Sequence, residues 1–107
     1  MDSEQFNLYV RLYSVVDGLL YVANFLESCR KKERKWNKKR LNYLEKTLFE
    51  IKVKNDSCFG LFEESTDPNY QSFGFFQKIG FGDYFGARKI AELWLRDISK
   101  EINDIRV

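Results

Sequence analysis

The side chains able to do chemistry are unevenly spread along this chain. "RKKERKWNKKR", Arg30 to Arg40, holds eight of the eighteen basic residues and a single acid, Glu33. The remainder carries ten basic and fifteen acidic residues, so a cationic segment sits on an otherwise acidic protein. Arg30, Lys31, Lys32, Arg34, Lys35, Lys38, Lys39 and Arg40 suit phosphate contact, and Trp36 among them offers a ring on which a base can stack. Placed on a helix, these cations spread around the circumference instead of lining one stripe. That disfavours a groove reader and leaves three readings: tracking of a nucleic-acid backbone, contact with an acidic protein, or a solvated helix start.

A second stretch, "FGFFQKIGFGDYFG" (Phe73 to Gly86), holds four of the six glycines and six of the eighteen aromatic residues. Gly80 and Gly82 precede an expected helix start, where free N–H groups and the helix dipole favour anions. Lys78, Phe81, Tyr84 and Arg88 complete this candidate anion or partner contact. The spacing is neither GxGxxG nor GK[ST]. The favoured reading is therefore a backbone corner, turned by Gly80 and Gly82 and anchored by Phe75, Phe76, Phe81 and Phe85. An exposed aromatic patch for a partner is the alternative that burial of those rings decides.

Catalysis finds little support. The chain has no histidine, which removes the commonest general base, the commonest metal ligand and the histidine-dependent nucleophile systems. Cys29 and Cys58 stand far apart with no CxxC, and read as reduced cytoplasmic thiols, not a disulfide or a zinc site. Glu63, Glu64 and Asp67 lack the alternating oxygen spacing of a calcium loop and read as a solvated turn. No enzyme, metal or cofactor is expected.

These side chains need elements to position them. Asp2 and Gln5 can form a capping box. After it, Phe6, Tyr9, Tyr13, Val16, Leu20 and Ala23, interleaved with Leu8, Leu12, Val15, Leu19, Val22 and Leu26, predict a helix over residues 3–29. It is apolar over most of its circumference and must be covered on two sides, as the central helix of a bundle or with one face on a partner. Arg11 and Asp17 inside its most apolar window argue against a membrane span, and "MDSEQF" does not read as a secretory leader. Leu41, Leu44, Leu48 and Ile51 predict a second helix over 32–52, although "TLFEIKVK" alternates like a strand. Ala87, Ile90, Ala91, Trp94, Ile98, Ile102 and Ile105 form one stripe of a third helix over 83–105, with Asp83 as its N-cap. "ARKIAEL" within it lacks the glycine turn of a helix-turn-helix, so the helix reads as continuous.

Residues 55–82 leave two readings. "CFGLFE" and "SFGFFQK" pair as a β-hairpin, or Asp67 caps a short helix with Pro68 first and Gly80 just past its end. The expected fold is thus mainly α. It is a single-domain bundle of three long helices, with a Phe/Gly-rich hairpin or short helix before the last.

The expected function is non-enzymatic binding of another macromolecule, a protein partner first. Nucleic-acid binding through Arg30 to Arg40 and a small anionic ligand near 78–89 are the alternatives. A homodimer through the first helix is a further expectation. Residues with A/T-rich codons number 41 against 17 with G/C-rich codons. That bias suits a phage, plasmid or low-GC bacterium, and with the small size it fits a regulator, inhibitor or immunity-type protein.

Overall fold

A computed structural model describes residues 3–31 and 38–106. They form five helices: α1 (Ser3–Lys31), α2 (Lys38–Lys54), α3 (Asp56–Glu63), α4 (Ser72–Gly80) and α5 (Tyr84–Arg106). α1 and α5 fall where the periodicity put them, and α2 covers the described part of the second expected helix, while residues 32–37 at its expected start and Asp2 of the expected capping box lie outside the described residues. Twenty-nine residues at ~1.5 Å each make α1 about 43 Å long. That length sets the long axis of a molecule measuring 50 × 23 × 22 Å.

α1 and α5 run antiparallel and share the most extensive contact in the fold. Near one end, Glu27 of α1 accepts an ion pair from Arg88 of α5 (Oε2–Nε 2.7 Å). Near the other, Val10 and Tyr13 share a surface cleft with Ile102 and Asn103. α2 and α3 also pack on α1, and α4 packs on α5, α2 and α3. Leu12, Val16, Leu19, Ala23 and Leu26 are buried along one face of α1. Val10, Tyr21 and Phe25 on its outer side are not, so the helix is apolar beyond the face that its neighbours cover.

Among the described residues there is no strand, and the β-hairpin expectation is corrected: both of its segments are helices. The burial pattern gives the reason. Cys58, Phe59 and Phe62 are all buried while Gly60 is exposed, and Ser72, Phe75, Phe76 and Ile79 are buried while Phe73 and Gln77 are exposed. That is the i, i+3, i+4 spacing of a helix, and a strand would put Phe59 and Phe62 on opposite faces. The strand-like "TLFEIKVK" is likewise helical to Lys54. Val53, which alternation would bury with Ile51, is 74% exposed.

The rings so gathered surround Trp94 of α5. Phe62 stacks on it (centroids 4.6 Å apart, 10° between planes), with Phe75 at 5.4 Å and Phe59 edge-on at 6.2 Å. The Trp94 indole N–H donates to the Tyr70 carbonyl (2.6 Å), which ties the linking loop to this cluster.

The short-helix alternative holds for residues 72–80, but its start is later than the Asp67–Pro68 signal implied. Asp67 Oδ1 accepts from the Asn69 amide (3.0 Å) and Asp67 O from the Tyr70 amide (3.0 Å), which closes a single turn. The helix begins four residues later than that signal, at Ser72, where Glu63 accepts from both the hydroxyl and the amide of Ser72. Gly74 lets this loop lie directly on α4: a Cβ there would stand 2.5 Å from the Pro68 carbonyl oxygen and 2.8 Å from Asn69 Cα.

Candidate functional site

The junction of α4 and α5 is built almost entirely by the backbone. The Gly82 amide donates to Ile79 O (3.0 Å) and the Asp83 amide to Lys78 O (2.8 Å), the paired bonds of a Schellman motif. That motif needs a left-handed residue just past the helix, and Gly82 supplies it with φ 77°. Gly82 therefore holds the position expected of Gly80, which is instead the last residue of α4. Asp83 then serves a second helix. Its Oδ1 accepts from the Gly86 amide (2.9 Å) and its carbonyl from the Ala87 amide (3.1 Å), so it caps α5 as the sequence implied.

The rings of this corner divide into two sets. Phe75 and Phe76 anchor it as expected, at 0% and 4% exposed. Phe81 at 77% and Phe85 at 52% do not, and Phe73 on the outer face of α4 is 64% exposed. Phe73, Gln77, Gly80 and Phe81 are all exposed and follow one another at i, i+4, i+7 and i+8, so they share a side of α4. Phe85 lies in the first turn of α5, and Arg88 and Lys89 bring their cations to 5.1 Å and 5.3 Å from its ring centre. Sequence reasoning placed Phe81 in the candidate site but missed Phe73. The signal available was the helical period of 72–79, once helix was chosen over strand.

The cations expected to receive an anion here already face carboxylates. Lys78 Nζ lies 3.6 Å from Asp83 Oδ2. Arg88 pairs with Glu27 and, through Nη1 at 3.0 Å, with Glu92. Tyr84 is buried, its hydroxyl donating to Glu45 of α2 (2.8 Å), so it fastens the corner to the bundle instead of lining a surface. Lys78, Gly80, Phe81, Gly82, Tyr84 and Arg88 are thus brought together, as a braced turn with aromatic rings outside it.

The basic segment is described only at its edges. Arg30 and Lys31 belong to the last turn of α1, and Lys38, Lys39 and Arg40 to the first turn of α2, with Lys39 exposed. Lys32, Arg34, Lys35 and Trp36 lie outside the described residues.

Cys29 and Cys58 are both buried and unbonded. Among the described residues, no three histidine, cysteine or acidic side chains cluster as metal ligands, and no helix is long and apolar enough to cross a membrane. In comparisons with known proteins, no family model, no curated protein and no solved structure matches this chain.

Proposed function

We propose that this protein acts without catalysing a reaction, by binding a partner protein through the aromatic corner between α4 and α5. One observation carries the reading: Phe73, Phe81 and Phe85 are all more than half exposed within thirteen residues of a segment whose other rings are buried. Each large apolar side chain left in water forgoes about 1.5–3 kcal/mol of burial. Grouped exposed rings mark interaction surfaces, and aromatic side chains dominate the energetics of protein interfaces. The Schellman turn and the Asp83 cap hold the backbone beneath those rings, so little ordering entropy is lost on docking. The protein's small size and the AT-rich codon bias suit a regulator, inhibitor or immunity-type protein of a phage or plasmid, working in the cytoplasm.

The test is capture from lysate of the native host, comparing the wild type with a Phe73→Ser, Phe81→Ser double variant. One stoichiometric protein companion, lost in the variant, is the expected result. Equal capture by the two proteins removes the corner from the function. Recovery of DNA or RNA in place of a protein, weakening steeply as salt rises, would transfer the function to Arg30–Arg40 and Trp36. Light scattering on the purified chain reports separately on a dimer formed through the outer face of α1.

A further inference from the structure

A half-open cleft of about 330 Å³ lies away from the aromatic corner, between Tyr9 of α1, the end of α3, the loop before α4 and the last turns of α5. Its floor is aromatic. Phe62 is 1% exposed, with one face stacked on Trp94 and its edge set against Tyr70 at 5.6 Å and 81°. Tyr70 is held at both ends, its carbonyl by the Trp94 indole and its hydroxyl by Asp97 Oδ2 at 2.7 Å. Tyr9 forms another wall at 6% exposed, and no hydrogen bond to its hydroxyl is found among the described residues.

The polar atoms facing this space are mostly acceptors. The Tyr70 proton is committed to Asp97, which leaves the Asp97 carboxylate, the Glu101 carboxylate and the Tyr9 hydroxyl oxygen available. Arg96 reaches Asp97 Oδ1 only at 3.4 Å and is largely solvent-exposed, so that pair is a weak competitor. Lys100 is on the rim and forms no ion pair among the described residues. Burial and the Asp97 hydrogen bond push the Tyr70 hydroxyl well above the usual tyrosine range. The charges of Asp97 and Glu101 act in the same direction, and Arg96 opposes them. Two carboxylates, Asp97 and Glu101, thus line the cleft with one lysine, Lys100.

We propose that this cleft binds a primary alkylammonium group, its charge between Asp97 and Glu101, its third N–H on the Tyr9 hydroxyl, and its carbon chain against the Phe62 and Tyr70 rings. An ammonium presents three donors and a compact positive charge. The cleft offers three acceptors, with aromatic residues in its lining for the apolar chain. A free amine and the lysine side chain of a partner protein share this chemistry. The inference stands independently of the aromatic corner.

The experiment is an NMR titration of the full chain with n-butylamine near neutral pH, with n-butanol as the uncharged control. Expected are saturable millimolar shifts at Tyr9, Tyr70 and residues 97–101, and none with n-butanol; such weak affinity suits a ligand of so few heavy atoms. Asp97→Asn should weaken binding by about tenfold or more, the scale of one charge-assisted hydrogen bond. Glu101→Gln, at an exposed side chain that leaves the fold intact, should weaken it less. Lys100→Met should tighten it, because it removes a repelling cation from the rim. Absence of saturable shifts, equal binding of n-butanol, or weakening by Lys100→Met would each overturn the assignment. Putrescine and an N-acetylated lysine amide then distinguish the two sources: tighter binding of the first marks a free diamine, of the second a partner's lysine.

Discussion

Two sets of rings lie within a few residues of each other and differ in everything except composition. Phe59, Phe62 and Phe75 close around Trp94, every one of them 1% exposed or less. Phe73 of α4 and Phe81 just past its end lie on the other side of the helix that carries Phe75 and meet water. The helical period alone separates them: Phe73 and Phe75 are two residues apart, about 200° around α4. A ring's contribution therefore depends on its angular position and not on its local richness in aromatics. The buried set should carry stability and the exposed set none.

Trp94→Ala tests the buried set at its centre. It removes the indole against which three phenylalanine rings pack, together with the donor to the Tyr70 carbonyl. A loss of about 3–5 kcal/mol is expected, a large share of the stability of a domain this size. Urea unfolding followed by circular dichroism measures it, and a loss below about 1 kcal/mol would mean that the cluster does not organise the core.

Gly74→Ala approaches the same cluster from behind. Its methyl would have to push back the Pro68 carbonyl and Asn69, and with them the loop that presents Tyr70 to Trp94. About 1–3 kcal/mol of destabilisation is expected by overpacking, where helix propensity alone predicts a small gain. The sign of the change in urea midpoint decides between them. Asp83→Ala acts between the two ring sets. It removes the side-chain cap of α5 but leaves the backbone bonds around Gly82, so about 1 kcal/mol is expected from the same measurement.

Much of this was legible in the sequence. Three long stripes of apolar residues placed α1, α2 and α5 because each spans enough turns for period 3.6 to exclude period 2. α3 and α4 are eight and nine residues long, and Phe/Gly-rich windows of that length satisfy either period. Trp94 decides them, by needing Phe59 and Phe62 on one side at once. That is a tertiary demand, invisible in "CFGLFE". The Asp83 cap could be read locally, since capping is a contact three residues long. The choice of Gly82 over Gly80 as the left-handed residue could not, because both glycines permit it and only the exact end of α4 selects one. The cleft beside Tyr70 joins residues 9, 62, 70, 97, 98, 100 and 101, which only the antiparallel pairing of α1 and α5 and the Trp94–Tyr70 tie bring together.

The smallest stability effect belongs to the exposed set, and it is the most informative. Phe73→Ser with Phe81→Ser deletes two exposed rings that are not part of the buried cluster around Trp94 and leaves the backbone of the corner intact. Surface substitutions of this kind change stability by about 0.5 kcal/mol or less, so the urea midpoint should stay within error of the wild type. Solubility should rise, because grouped exposed rings favour self-association. If the rings are there for a partner, the double variant folds as well as the wild type and loses its companion. A variant that instead loses stability comparable to Gly74→Ala would show these rings to be packed in solution. The distinction between a structural and an interacting set would then collapse, and the proposed binding surface with it.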